Sequence, residues 1–133
     1  MRSVLIIEDD YYQASNLAKL FTSLGHTLAG VVSSGEDGVS VATRERPDIL
    51  IADVALSGRL DGIAAAARII ASHPCGLIFI TAYDDAELVE RMNGLRPAAI
   101  ILKPATERKI LQAVERIASR RRPTKAGSPP SPV

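Results

Sequence analysis

The chain has 133 residues and a formal net charge of +1, with 47% hydrophobic and 23% charged residues. A chain of this size and composition forms one small domain with one core, which excludes both overall disorder and a second full domain. Its one cysteine, Cys75, excludes an internal disulfide framework and cannot by itself supply a zinc site.

Apolar strand-like runs alternate with helical patterns up to about residue 119. The strands are continuous apolar runs, typical of parallel strands buried on both faces, and the helices end at Gly or before Pro. In chain order the sequence predicts a strand at 4–7, a helix ending near 24, a strand at 27–32, a helix at 35–46, a strand at 49–52, a helix at 62–72, a strand at 77–80, a helix at 84–93, a strand at 98–102 and a helix at 106–119. This alternation predicts an α/β fold, a doubly wound five-stranded parallel sheet with helices on both faces.

The last residues differ in composition from the rest of the chain. Residues 1–119 hold 12 basic and 15 acidic side chains, a net charge of −3, whereas residues 120–133 hold four basic side chains and no acidic one. The latter segment is also rich in Pro and Ser, so it cannot bury a core. We therefore predict a domain over 1–119 and a disordered basic tail over 120–133.

Polar side chains follow four of the predicted strands directly. Glu8 and Asp9 follow the first strand, Asp53 the third, Thr81 the fourth and Lys103 the fifth. In an open parallel sheet the carboxyl ends of the strands lie at one edge, where ligands bind. The sequence therefore predicts one cluster that contains three carboxylates, a hydroxyl and an ammonium.

This mixture of groups fits phosphoryl transfer. Three converging carboxylates need a cation or a proton between them. An all-oxygen ligand set without His or Cys favours Mg²⁺ over zinc. Together with the metal, Lys103 and Thr81 could neutralise the oxygens of a phosphoryl group. The consistent interpretation is that Asp53 attacks a phosphoryl donor and becomes an aspartyl phosphate.

Each of these residues also has a simpler interpretation when it is taken alone. An acidic residue after a strand commonly caps the next helix, as Asp9 or Asp10 could for the first helix. Thr81 could cap the fourth helix, and Lys103 could be a surface lysine at a strand end. The functional interpretation is favoured because four separate strands are each followed by a group that phosphoryl transfer requires.

Four segments resemble the motifs of the response regulator receiver domain, the CheY-like phosphoacceptor of two-component signalling. They are residues 4–10, 47–53, 79–82 and 102–104, and the resemblance extends over residues 3–119. It implies a flavodoxin/CheY-like fold, phosphorylation of Asp53, and a cis-prolyl bond after Lys103. It also implies that Asp9 is the principal ligand of Mg²⁺, with support from Glu8 and from the backbone carbonyl of Ala55, and that Thr81 is the switch hydroxyl.

The sequence departs from the family pattern at two places. Ile100 stands where many receivers have an aromatic switch residue, and Tyr83 could supply the ring instead or be a plain rim aromatic. The loop after Asp53 lacks the usual proline and is one residue longer. In this family the positions of Ala55 and Tyr83 influence the lifetime of the phosphoryl group.

The resemblance implies a single-domain response regulator, a cytoplasmic signalling protein and not an enzyme. It would receive its phosphoryl group from a histidine kinase or a phosphotransfer protein. A face formed by the fourth helix, fifth strand and fifth helix would bind a downstream partner or a second copy of the chain. We expect no nucleic acid partner, and no membrane span, since no stretch approaches roughly 18 apolar residues.

Two other functions stay open at this point. One is a Mg²⁺-dependent phosphohydrolase that forms an aspartyl phosphate; Ala55 argues against it, because such enzymes carry a second aspartate two residues after the nucleophile. The other is a degenerate receiver that acts only as a binding module. That function would be expected to lack Asp53, Asp9 or Lys103, all of which are present.

Overall fold

Five strands and five helices alternate along the chain. The computed structural model describes residues 2–56, 58 and 60–121. The elements are β1 (Ser3–Ile7), α1 (Tyr11–Ser23), β2 (Thr27–Val32), α2 (Gly35–Glu45), β3 (Ile49–Asp53), α3 (Gly62–Ser72), β4 (Gly76–Thr81), α4 (Ala86–Asn93), β5 (Ala99–Leu102) and α5 (Glu107–Arg121). The predicted α/β architecture is confirmed.

The strands form one parallel sheet in the order β2-β1-β3-β4-β5. The chain steps outward from β1 to β2, then returns to the other side of β1 and continues outward from β3. The switch point of the topology therefore lies between β1 and β3. Sheets of this kind bind ligands at the carboxyl ends of the two strands beside the switch point.

Apolar side chains bury both faces of the sheet. Residues of β1, β3 and β4 alternate between two core clusters, because successive side chains of a strand point to opposite faces. One cluster includes Phe21 of α1 and Ile117 of α5, and the other includes Ala42, Ile69 and Met92 from α2, α3 and α4. Burial on both faces explains why the central strands are apolar throughout.

Side-chain caps fix where four of the helices begin. Asp10, Ser34, Asp61 and Asp85 each precede a helix and accept a hydrogen bond from a backbone N–H three residues later. Such a cap satisfies a backbone donor that has no partner within the helix. The alternative in which Thr81 caps α4 is wrong, because Asp85 does so.

The observed bounds differ slightly from the predicted ones. Asp53 is the last residue of β3, α4 begins at Ala86 after its cap, and β5 begins at Ala99. Helix α5 continues to Arg121, two residues past its predicted end. The remainder of the predicted tail, 122–133, lies outside the described residues. None of the helices described is both long and apolar enough to cross a membrane.

Candidate functional site

Three carboxylates converge at the switch point. Glu8 and Asp9 follow β1 directly, and Asp53 ends β3, whose Ala52 pairs with Ile7 of β1. One carboxylate oxygen from each acidic residue lies within 4.8 Å of those of the other two. Glu8 and Asp53 are 3% and 5% exposed, whereas Asp9 is exposed to solvent. Glu8 and Asp53 therefore form the buried part of the cluster, and Asp9 lies where the cluster meets solvent.

Lys103 reaches this cluster from the far side of β4. Its Nζ lies 3.1 Å from Asp53 Oδ2 and 3.6 Å from Glu8 Oε1. Its backbone N–H donates to the carbonyl of Thr81 at 2.8 Å, and the Lys103–Pro104 bond is cis, as the resemblance implied. The ammonium is thus shared between the two buried carboxylates.

Burial and crowding change the protonation of the site. The pKa of Glu8 is raised to about 7, chiefly by burial and in smaller part by the hydrogen bond and charge of Asp53. The Asp10 N–H, which donates to Glu8 Oε2 at 3.1 Å, and the charge of Lys103 act in the opposite direction. For Lys103, burial lowers the pKa, but contact with Asp53 and Glu8 outweighs burial and raises it. One lysine thus leaves the carboxylates incompletely neutralised.

The loop after Asp53 is held close to the Asp53 carboxylate. The Ala55 N–H donates to Asp53 Oδ1 at 3.3 Å, and the Gly62 N–H donates to the Val54 carbonyl at 3.0 Å. The first of these bonds orients one carboxylate oxygen of Asp53, which leaves Oδ2 facing Lys103. The role of the Ala55 carbonyl as a metal ligand stays a prediction.

The predicted switch residues lie beside the cluster, on β4 and β5. Thr81 is 1% exposed, and its Oγ1 accepts from the Tyr83 N–H at 2.9 Å and lies 3.3 Å from the Tyr83 carbonyl. The Tyr83 side chain is 51% exposed. Ile100 pairs with Phe79 of β4 and packs against the cluster formed with α2, α3 and α4. The switching and lifetime roles of Thr81, Tyr83, Ile100 and Ala55 stay predictions.

Two contacts near the site involve side chains that the sequence did not single out. Lys109 Nζ donates to the carbonyls of Leu102 and Pro104, which flank Lys103. Asp61, the cap of α3, forms an ion pair with Arg91 of α4 at 3.1 Å. Of these contacts, only that of Lys109 could have been suspected from the sequence. A lysine in the first turn of a helix is unfavourable because its charge faces the positive end of the helix dipole.

Comparison with known proteins identifies the family. The model of the response regulator receiver domain matches residues 4–115. The transcriptional regulatory protein PdtaR of Mycobacterium tuberculosis is 32% identical over 119 residues, 90% of this chain and 58% of PdtaR. The chemotaxis protein CheY of Treponema pallidum is 29% identical over 119 residues, 87% of this chain and 80% of that protein. The matched part of the chain spans between 38% and 58% of the length of PdtaR and of two other curated relatives.

Solved structures agree with this assignment. The signal receiver domain of a modulated diguanylate cyclase from Desulfovibrio desulfuricans superposes with a TM-score of 0.84 and 34% identity, covering 90% of this chain and 95% of that one. A chain of the CheX-CheY-BeF₃-Mg²⁺ complex from Borrelia burgdorferi has a TM-score of 0.77 and 27% identity, covering 84% and 85%. The chain is therefore a member of the response regulator receiver domain family.

Proposed function

We propose that this receiver domain accepts a phosphoryl group on Asp53 from a histidine kinase or a phosphotransfer protein, in a Mg²⁺-dependent reaction. The observation that carries the proposal is the buried Asp53 carboxylate, which lies 3.1 Å from Lys103 Nζ and beside the carboxylates of Glu8 and Asp9. This arrangement offers a nucleophile, a fixed cation and a group of oxygen ligands at one point.

The donor set fits Mg²⁺. Glu8, Asp9 and Asp53 offer only oxygen atoms, which a hard cation prefers, and one side of the cluster faces solvent, where water ligands can enter. The raised pKa of Glu8 also indicates that a proton or a cation is needed among these carboxylates. When bound there, Mg²⁺ would neutralise charge on the phosphoryl oxygens.

The chain's own residues would carry out the transfer as follows. A carboxylate oxygen of Asp53 attacks the phosphorus atom, and an O–P bond forms while the bond from phosphorus to the donor's imidazole nitrogen breaks. The electron pair of that bond stays with the departing nitrogen. The Lys103 ammonium, held at the site in advance, stabilises the negative charge of the transferred group. Ala55 offers no carboxylate for hydrolysis, which disfavours a phosphohydrolase.

Phosphorylation would then alter a partner-binding face formed by α4, β5 and α5. A phosphoryl group adds about 1.5 to 2 negative charges and strong acceptor oxygens. It would draw the Thr81 hydroxyl away from the Tyr83 backbone, to which Thr81 is bonded in this structure. The segment from β4 to α4 would follow, and a downstream protein or a second copy of the chain would bind the altered face.

The decisive experiment is direct labelling of Asp53. Wild type, Asp53→Asn and the control Asp84→Asn, which removes an exposed carboxylate outside the site, would be incubated with Mg²⁺ and acetyl phosphate. We expect intact-mass analysis to find one phosphoryl group on wild type and Asp84→Asn and none on Asp53→Asn. Absence of an adduct on wild type, in a reaction that labels a known receiver, would overturn the proposal.

A further inference from the structure

The side chain of Lys109 lies across the segment that carries Lys103. Lys109 is the third residue of α5, and its Nζ donates to the Leu102 carbonyl and to the Pro104 carbonyl, at 3.3 Å in each case. One ammonium therefore holds the backbone on both sides of Lys103. Charged donors form stronger hydrogen bonds than neutral ones, so both carbonyls are restrained by the same group.

Lysine is a poor choice for this position by local criteria. Thr106 Oγ1 accepts from the Lys109 N–H at 3.3 Å, and a Glu or Gln at position 109 could complete a reciprocal capping box with Thr106. A cation in the first turn also faces the positive end of the helix dipole. A residue that opposes local preference points to a contact elsewhere that compensates, and the two carbonyls beside Lys103 are that contact.

The position of the Lys103 backbone decides whether its ammonium reaches the acceptor. β5 is separated from β3 by β4, so the Lys103 side chain must extend past the end of β4 to bring Nζ to 3.1 Å from Asp53 Oδ2. The Lys103 N–H is fixed by the Thr81 carbonyl at 2.8 Å. Lys109 restrains the same segment through the carbonyls of Leu102 and Pro104.

We infer that Lys109 is a positioning residue for Lys103: it holds the carbonyls of Leu102 and Pro104 so that the Lys103 ammonium is placed on Asp53 before the phosphoryl group arrives. Lys109 touches neither the acceptor nor its ligands. The inference rests on the proposed function in one respect, because it names the phosphorylation of Asp53 as the step that benefits. The restraint on the backbone of Lys103 can be measured without it.

The test compares three variants in the full chain. Lys109→Gln removes the ammonium but can still cap the helix, and Lys109→Arg keeps a cationic donor. Arg108→Gln removes the same charge from an exposed neighbour whose side chain forms no hydrogen bond or ion pair within the part of the chain that the structure describes. The rate of Asp53 phosphorylation would be measured against acetyl phosphate concentration at saturating Mg²⁺. Displacing a catalytic group by 1 Å can cost about 100-fold, so we expect a smaller fall of about tenfold in the maximal rate of Lys109→Gln.

The pattern of kinetic change separates positioning from a general loss of structure. The donor concentration for half-maximal rate and the affinity for Mg²⁺ should be unchanged in Lys109→Gln, because Lys109 contacts no carboxylate of the site. Lys109→Arg should recover most of the rate, and Arg108→Gln should behave as wild type. Equal maximal rates for Lys109→Gln and Arg108→Gln would overturn the inference.

A second measurement keeps the inference distinct from the proposed function. Amide hydrogen exchange at Lys103 should be faster in Lys109→Gln than in Lys109→Arg or Arg108→Gln, while exchange in the middle of α5 stays the same. If wild type accepts no phosphoryl group, the proposed function fails and this exchange still decides whether Lys109 restrains Lys103. Unchanged exchange at Lys103 would refute that restraint whether or not Asp53 is phosphorylated.

Discussion

Glu8 is the residue whose charge depends most on the occupant of the site. Its carboxylate is almost fully buried beside Asp53, and its pKa rises from 4.5 to about 7. In the absence of metal a large fraction of Glu8 therefore carries a proton near neutral pH. Under the proposed function, Mg²⁺ would bind the same crowded carboxylates and would therefore compete with this proton.

This competition predicts that Mg²⁺ affinity increases with pH. Below about pH 7 the metal must displace the proton of Glu8, and the apparent affinity should rise by up to about tenfold per pH unit, since one proton is released. Above that pH the dependence should flatten. Calorimetric titration with Mg²⁺ between about pH 5.5 and 8.5 would measure it, with Glu8→Gln expected to bind more weakly and without this slope. A wild-type affinity that does not change over this range would contradict the prediction.

The raised pKa of Glu8 also determines how the stability of the metal-free fold depends on pH. Because the pKa of Glu8 is higher in the folded state, its protonation stabilises the metal-free fold fully below the unfolded pKa of 4.5, and this contribution is lost as the pH rises through about 7. Mg²⁺ would replace it over the pH range where the proton is lost. If Mg²⁺ binds as proposed, the protonation of this one buried residue would set the pH above which the metal replaces the proton.

At the scale of elements, the junction between β3 and α3 determines the position of Asp53. Gly62, the first residue of α3, packs directly on the end of β3, and its N–H donates to the Val54 carbonyl at 3.0 Å. A Cβ at position 62 would overlap the carbonyl oxygen of Asp53. Helix α3 can approach the backbone of Asp53 this closely only because residue 62 has no side chain.

We therefore predict that Gly62→Ala disturbs both stability and the site. The backbone of β3 or α3 has to move, and we expect the free energy of unfolding to fall by about 1–3 kcal/mol or more, measured with urea. Gly94→Ala is the matched control, because Gly94 has helical dihedral angles, φ −60° and ψ −22°. A Cβ at Gly94 would lie 3.3 Å from the Arg91 carbonyl oxygen, which is tight but is not an overlap, so that change should alter the stability by less than about 1 kcal/mol in either direction. Equal stability of the two variants would show that the close packing at Gly62 is unimportant.

The sequence was sufficient for the central strands β1, β3 and β4 because they are buried on both faces. Their apolar runs are continuous, and only the ends were misplaced, by a residue or two. The start of α4 shows why: Thr81, Asp84 and Asp85 can all cap a helix, and the choice of Asp85 depends on the path of the chain between β4 and α4. Helix caps of similar strength cannot be ranked without the tertiary structure.

For the whole molecule, strand order decides which polar groups meet. The rule that ligands bind at the carboxyl ends of parallel strands placed Glu8, Asp9, Asp53 and Lys103 together in advance, and the structure brings them within contact distance. The same rule gives no information on side-chain conformation. The contacts of Lys109 with two loop carbonyls depend on how α5 packs beside β5, and no motif encodes that packing.

The excess of acidic groups at this edge predicts that Mg²⁺ stabilises the whole domain. A ligand that binds only the folded state adds about 1.4 kcal/mol at ten times its dissociation constant, which corresponds to a rise in Tm of about 4–6 °C for a domain of this size. Thermal unfolding with Mg²⁺ and with a chelator would measure the difference at about pH 8, above the pKa of Glu8. At the same Mg²⁺ concentration Asp9→Asn should lose most of the rise in Tm, and Asp84→Asn should retain it. Of these two residues, only Asp9 belongs to the carboxylate cluster. A similar rise in all three proteins would place Mg²⁺ outside this cluster.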